Sequence, residues 1–299
     1  MAATTAQSII SKSMRILGLI ESGESPTSAE LADGLTSLNS LIDSWQADEN
    51  FHFYQADEAF TLSAKGTYSI GNESLTISSI TRSSTTATAT TAQAHNLSTG
   101  CSVTVSGATQ TDYNITASIT VTSPTTFTYT VANSPATPAT GTPVVTAGDF
   151  YTTRPIKVVG AFTRTANVDT PLAIISEQYW TNVSDKASTS ATQTKLLYRT
   201  SYPFGQVLVY PVPTGTPELH IRSLKTVAQY STLTTSQILP PGYLHLLEIA
   251  LAYELSSEFG TKVSPDTAEM VKANLESVIN ANKNRLASSK LVMPQQVAG

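Results

Sequence analysis

Apolar residues at Ile9, Ile10, Met14, Ile16 and Leu17 recur at helical spacing, with Ser11, Lys12 and Arg15 on the opposite side. The pattern stops at Gly18 and at a turn written by Glu21, Gly23 and Pro26, so a first helix is predicted to end between Leu17 and Ile20. Thr27 and Glu30 have the spacing of a capping box, in which the hydroxyl accepts a free amide of the first turn and the carboxylate reaches back to the cap. Behind them Leu31, Leu35, Leu38, Leu41, Ile42 and Trp45 form one apolar stripe, which predicts a second helix with a face that must be buried.

The period then changes from helical to alternating. Between residues 73 and 147 the charged residues are Glu73, Arg82 and Asp112, set in a Thr, Ser, Ala and Val sequence punctuated by Gly100, Gly107 and Gly141. Alternation over 74–80, 85–90, 102–105, 115–121 and 126–131 predicts about five short strands, enough for a small β-sandwich or barrel. Joining Gly71 and Asn72 to Ala147, Gly148 and Asp149 gives one continuous segment. Residues 73–147 therefore read as a guest domain at a hairpin tip, where exposed backbone tolerates insertion.

Beyond the insert, 157–162, 172–175, 195–199 and 219–224 read as short strands or their flanks. Val207 to Tyr210 reads as a strand stopped by Pro211 and Pro213. Helical spacing returns with Leu244, Leu247, Leu251 and Leu255 over 243–259, closed by Gly260. A last helix is predicted from a Ser264 cap with Pro265 at its first position and Asp266 in the first turn, carried on by Ala268, Val271, Leu275, Val278 and Leu286. The predicted fold class is α+β: a helical bundle from N- and C-terminal helical hairpins, a β-rich middle and an inserted small β-sandwich or barrel. The corresponding domains are 1–72 with 148–299, the insert 73–147, and an extended tail 288–299.

Composition narrows the function. Charged residues make up 13% of the 299-residue chain, against about 25% in an average protein, and the net charge is -5. Clustered cations of the kind that neutralise duplex phosphates are missing, so DNA passing this surface is expected to slide rather than stick. The single Cys101 rules out an internal disulfide and multi-cysteine metal sites. The N-terminus lacks a basic leader region, and the longest apolar runs fall far short of the roughly 20 residues of a membrane span.

The chemical inventory is thin. Nucleophile-elbow, zinc-protease, phosphate-loop and dinucleotide-fold motifs are lacking. His52, His95, His220 and His245 lie in four separate segments without a second ligand at metal spacing. Glu248, Glu254 and Glu258 fit the polar side of the helix that carries Leu247, Leu251 and Leu255. Phe51, Phe53, Tyr54, Tyr179, Trp180, Tyr198, Tyr202 and Phe204 offer stacking surfaces without the basic groove that single-strand readers add, which points to packing. These residues predict a chain that is not an enzyme and has no cofactor or metal.

The order of the opening segments, from helix through Gly18, the acidic turn and the capping box to a Leu-rich helix ending in Asp43, Ser44 and Trp45, resembles the head-to-tail adaptor, or packaged-DNA stabilisation, family of short-tailed phages. Four later blocks extend the resemblance: Asp149 to Phe162, Asp169 to Ser176, Tyr202 to Pro213 and Leu239 to Tyr243. The insert resembles the small immunoglobulin-like or barrel modules of phage structural proteins, through 94–100, 103–108 and 126–131. The resemblance implies a virion component made in the host bacterial cytoplasm, assembled on the portal protein as a ring of about twelve copies. Such a ring extends the DNA channel, retains the packaged genome without sequence-specific binding and presents a docking platform to tail and nozzle proteins. It also implies that Leu291, Val292 and Met293 of the tail contact the portal or a neighbouring subunit. Two readings stand beside it: a carbohydrate-binding or adhesive protein acting through the insert, and a cell-wall hydrolase with Glu177 or Asp185 as acid or base.

Overall fold

A computed structural model describes residues 4–21, 23–46, 54–239, 242–261 and 265–288. Among these residues the fold is mixed α+β with a β-rich majority, comprising five α-helices, two curled seven-stranded sheets and two short two-stranded pairings. The helices are α1 (Ala6–Ile16), α2 (Ser28–Gln46), α3 (Glu177–Thr181), α4 (Tyr243–Glu258) and α5 (Pro265–Ser288). The chain divides into two compact units, residues 1–54 with 226–299, and residues 55–225. This boundary differs from the expected one, because the insert and the β middle fall into a single unit.

In the helical unit the predicted caps at Gly18 and at Thr27 with Glu30 are made by those residues, and Thr5 adds a cap that the sequence reading did not name. Thr5 Oγ1 accepts the Ser8 amide at 3.2 Å to start α1. Gly18 ends it with φ +71, its amide donating to Arg15 and that of Leu19 to Met14, both at 3.0 Å. The capping box of α2 is complete: the Glu30 amide donates to Thr27 Oγ1 at 3.3 Å and the Thr27 amide to Glu30 Oε2 at 2.7 Å. The hydrogen bond from the Thr27 backbone holds the Glu30 carboxyl below its ordinary pKa.

Ile9, Ile10 and Met14 of α1, Leu38 and Ile42 of α2, and Leu247, Leu251 and Leu255 of α4 share one apolar core, with Val271 and Val278 of α5 at its margin. Gly34 lets α1 and α2 approach closely, since a Cβ there would stand 2.6 Å from Ile10 Cγ2. Ser13 Oγ donates to the Glu248 carbonyl at 2.8 Å, linking α1 to α4. The single apolar face expected of α4 is too narrow: Leu246, Ile249 and Ala252 are buried as well, as in a helix covered on several sides.

In the β unit the insert forms one antiparallel sheet in the order Thr116–Ser118, Ser102–Ala108, Gly141–Ala147, Leu75–Ser83, Thr86–Thr91, Thr126–Thr130, Thr120–Ser123. Leu75 and Thr76 pair with Val145 and Val144, whereas Ile77 to Ser83 of the same strand pair with Thr86–Thr91, with a register shift between Ile77 and Ser79. The shift turns the sheet around its own core of Ile80, Ala87, Ala89, Val103, Phe127 and Val145. The expected segment at 115–121 is broken into two strands, and Gly141–Ala147 is a strand that its Gly and Pro content concealed.

The second sheet runs Tyr54–Thr61, Glu218–Lys225, Lys157–Thr165, Val168–Ile174, Lys195–Arg199, Gly205–Tyr210, Thr67–Ile70. Val168–Leu172 pairs antiparallel with Lys157–Thr165, and Ala173 and Ile174 pair parallel with Lys195 and Leu196. Tyr68, Phe150, Leu196, Val207 and Val209 fill its core, with Phe150 stacked between Phe60 and Tyr68 at centroid distances of 4.4 and 5.0 Å.

Candidate functional site

The insert leaves and rejoins its host at adjacent points, but not at the expected hairpin tip. Ile70 and Phe150 form a parallel bridge, the Phe150 amide donating to Ser69 at 3.0 Å and the Gly71 amide to Phe150 at 3.1 Å. The insert's own first and last strands are antiparallel neighbours, which returns the chain beside its point of departure.

Asp149 secures this junction. Its Oδ2 accepts the amides of Ser102 at 2.8 Å and Ser69 at 2.9 Å, and its Oδ1 pairs with Lys65 Nζ at 2.5 Å. Lys65 Nζ also donates to Ser102 Oγ at 2.8 Å, so one charge pair ties host strand, insert strand and return segment together. Nearby, Gln206 Oε1 accepts Ser98 Oγ at 2.8 Å and Asn96 Nδ2 donates to the Tyr202 carbonyl at 2.7 Å. Phe204 is buried in the insert's core.

At the other end of the same sheet Lys225 is fully buried. Its ammonium pairs with Glu58 at 2.7 Å and donates to the Thr153 carbonyl at 2.5 Å. Burial pulls its pKa down, and the Glu58 carboxylate opposes that. A buried charge is tolerated where partners replace water in this way.

A surface groove of about 380 Å³ lies beside α3, lined by Tyr179, Asn182, Val183, Ser184, Lys195 and Tyr210. Its construction follows from strand periodicity. In Gly205–Tyr210, Val207 and Val209 face the main core while Leu208 faces the other way, so both faces of a continuously apolar strand are covered. Leu197 and Leu208 receive Trp180 of α3. Ser176 caps that helix by accepting the Tyr179 amide at 3.3 Å, and Glu177 is paired with the Arg199 guanidinium. Lys195 stands directly across from Tyr210 in the strand register. Its ammonium lies 5.3 Å from the Tyr210 ring centroid and 5.7 Å from that of Tyr179.

The residues singled out in the sequence fall in different places. Leu291, Val292 and Met293 lie outside the described residues, as do His52, Phe51, Phe53 and Ser264. His95 is buried in the insert, its Nδ1 accepting the Leu97 amide at 3.0 Å and its Nε2 without a hydrogen-bond partner. Burial lowers its pKa. His220 stacks on Phe162 at 4.4 Å and contacts Glu218 at 2.9 Å, and His245 is exposed on α4. Among the described residues no group of three or more His, Cys, Asp or Glu is arranged to hold a metal ion, and no helix is long and apolar enough to cross a membrane.

Of the hydrolase candidates, Glu177 is held below its ordinary pKa by the Arg199 hydrogen bond, the opposite of what a general acid needs. Asp185 accepts the Ala187 amide at 3.0 Å. The groove itself is missed by sequence reading, since α3 is too short for helical periodicity and the Lys195 to Tyr210 pairing depends on register. The Ser176 cap ahead of Tyr179 and Trp180 is the local signal that points to it.

No family model matches the chain, and no curated protein matches it.

Proposed function

We propose that this chain is a structural head-to-tail adaptor of a tailed phage, a non-enzymatic ring subunit that binds the portal and extends the channel for packaged DNA. The observation that carries the reading is that α1 and α2 from one end of the chain and α4 from the other share a single apolar core, with α5 at its margin. We read these helices as one bundle built from the two terminal hairpins. A subunit whose N- and C-terminal helices share one core in this way suits a ring held by heterologous contacts around a rotation axis.

In this reading the β unit is the part that tail and nozzle proteins dock on, and within it the immunoglobulin-like insert is joined to the host strands by Asp149 and Lys65. Low charge on the wall favours DNA that passes without adhering. The tail beyond Ser288, with Leu291, Val292 and Met293, reaches the portal. Assembly at the head-to-tail interface of the virion after packaging then retains the genome.

The test is negative-stain imaging of the purified chain mixed with the portal protein from the same genome. Stacked rings support the reading. A variant truncated after Ser288 is expected to lose them, and unaltered stacking by that variant removes the tail contact from the account.

A further inference from the structure

We propose that the groove beside α3 is a binding site for an acidic saccharide. The geometry supplies the three contacts that such a ligand requires. Tyr179 is 47% exposed and offers a ring face to the C–H face of a pyranose. Asn182 and Ser184 bring amide and hydroxyl groups to the same groove, where sugar hydroxyls exchange hydrogen bonds. Lys195 supplies the charge: among the described residues it has no carboxylate partner, and its ammonium contacts two aromatic rings.

The neighbouring acids are occupied elsewhere. Glu177 is engaged by Arg199, Asp185 beside the lining Ser184 accepts the Ala187 amide at 3.0 Å, and none of the six lining side chains is acidic. The volume of about 380 Å³ falls within the range of small-ligand sites, about 300–1,000 Å³. The walls are set by packing before any ligand arrives, because Trp180 is seated on Leu197 and Leu208 and meets Tyr210 edge-on at 6.2 Å. Lys186, the other cation nearby, lies 5.9 Å from the Trp180 centroid and donates to the Val183 carbonyl, so it braces the groove's rim. A single ammonium with no carboxylate partner among the described residues, held over aromatic rings and a Thr194 hydroxyl, suits one carboxylated sugar better than a nucleic acid strand, which needs cations repeated along its backbone. The proposal is independent of the adaptor reading.

Saturation-transfer NMR on the intact chain, with sialyllactose as the acidic probe and lactose as its neutral counterpart, tests it. The expected result is transfer to sialyllactose with a Kd near the millimolar range and binding at least about tenfold weaker for lactose, the difference being the Lys195 charge. Tyr179→Ala and Lys195→Met are each expected to weaken sialyllactose binding at least about tenfold. Tyr151→Ala, at an exposed tyrosine that does not line the groove, is expected to leave it unchanged. Tyr179 is about half exposed and Lys195 partly so, and unchanged thermal unfolding confirms that the fold survives. Equal binding of the two sugars, binding indifferent to both substitutions, or preferential binding of a short oligothymidylate each overturns the proposal.

Discussion

Asp149 Oδ2 accepts the backbone amide of Ser102 at 2.8 Å across 47 residues of sequence. The same oxygen accepts Ser69, so a host strand and an insert strand share one anion. The carboxylate satisfies two N–H donors that face each other here, beside the direct hydrogen bond from the Ser69 hydroxyl to the Ser102 carbonyl at 2.6 Å.

Asp149→Asn keeps an oxygen for the two amides but turns an NH2 group toward the Lys65 ammonium. Its expected cost is about 3 kcal/mol, as for breaking a largely buried pair. Adding Lys65→Met removes the mismatch and should recover part of the loss. Chemical denaturation of both single variants and the double variant measures the coupling, and strictly additive losses would show that the pair does not act as a unit.

Gly34→Ala sets helix propensity against packing. The substitution gains up to about 1 kcal/mol of propensity, yet its Cβ would lie 2.6 Å from Ile10 Cγ2 in a fully buried site. A net loss of about 1 kcal/mol is expected once overpacking is included. Ile10→Ala alone is expected to cost about 2–5 kcal/mol. The double variant should cost less than the sum, because the new methyl occupies part of the space left by isoleucine.

His95 gives the insert an acid sensitivity. Its pKa is held below 6.5 by burial, so the unfolded chain takes up this proton first as pH falls. Stability is then complete above about pH 6.5 and declines below it. Protonation at Nδ1 would also set a donor against the Leu97 amide. Melting temperatures from pH 7.5 to 5, compared with His95→Asn, should fall more steeply in the unsubstituted chain, and parallel curves would contradict this account.

Cys101 is fully buried and burial pushes its thiol up to about 11. Aromatic disulfide reagents are expected to react with it at neutral pH only on unfolding. Rapid labelling of the native protein would mean that the core of the insert opens readily.

Legibility in the sequence follows from how local each determinant is. Thr27 with Glu30 and Gly18 after Leu17 act within one turn, and the structure makes both caps as written. The alternation over 85–90 places Ala87 and Ala89 inward as expected. By contrast, nothing in the sequence marks Asp149 as the junction anchor, because its role depends on strands brought together from residues 69 and 102. Lys225 ends a strand and is invisible as a buried cation until Glu58 is placed beside it. The groove at Tyr179 was hidden for the same reason: Lys195 and Tyr210 meet only through strand register.

The central claim concerns assembly on a portal, and sedimentation velocity tests it most directly. Portal rings are run alone and with an excess of this chain. The account predicts a discrete, faster boundary containing both proteins in fixed proportion. Two independent boundaries, each with the coefficient of the isolated protein, would contradict it.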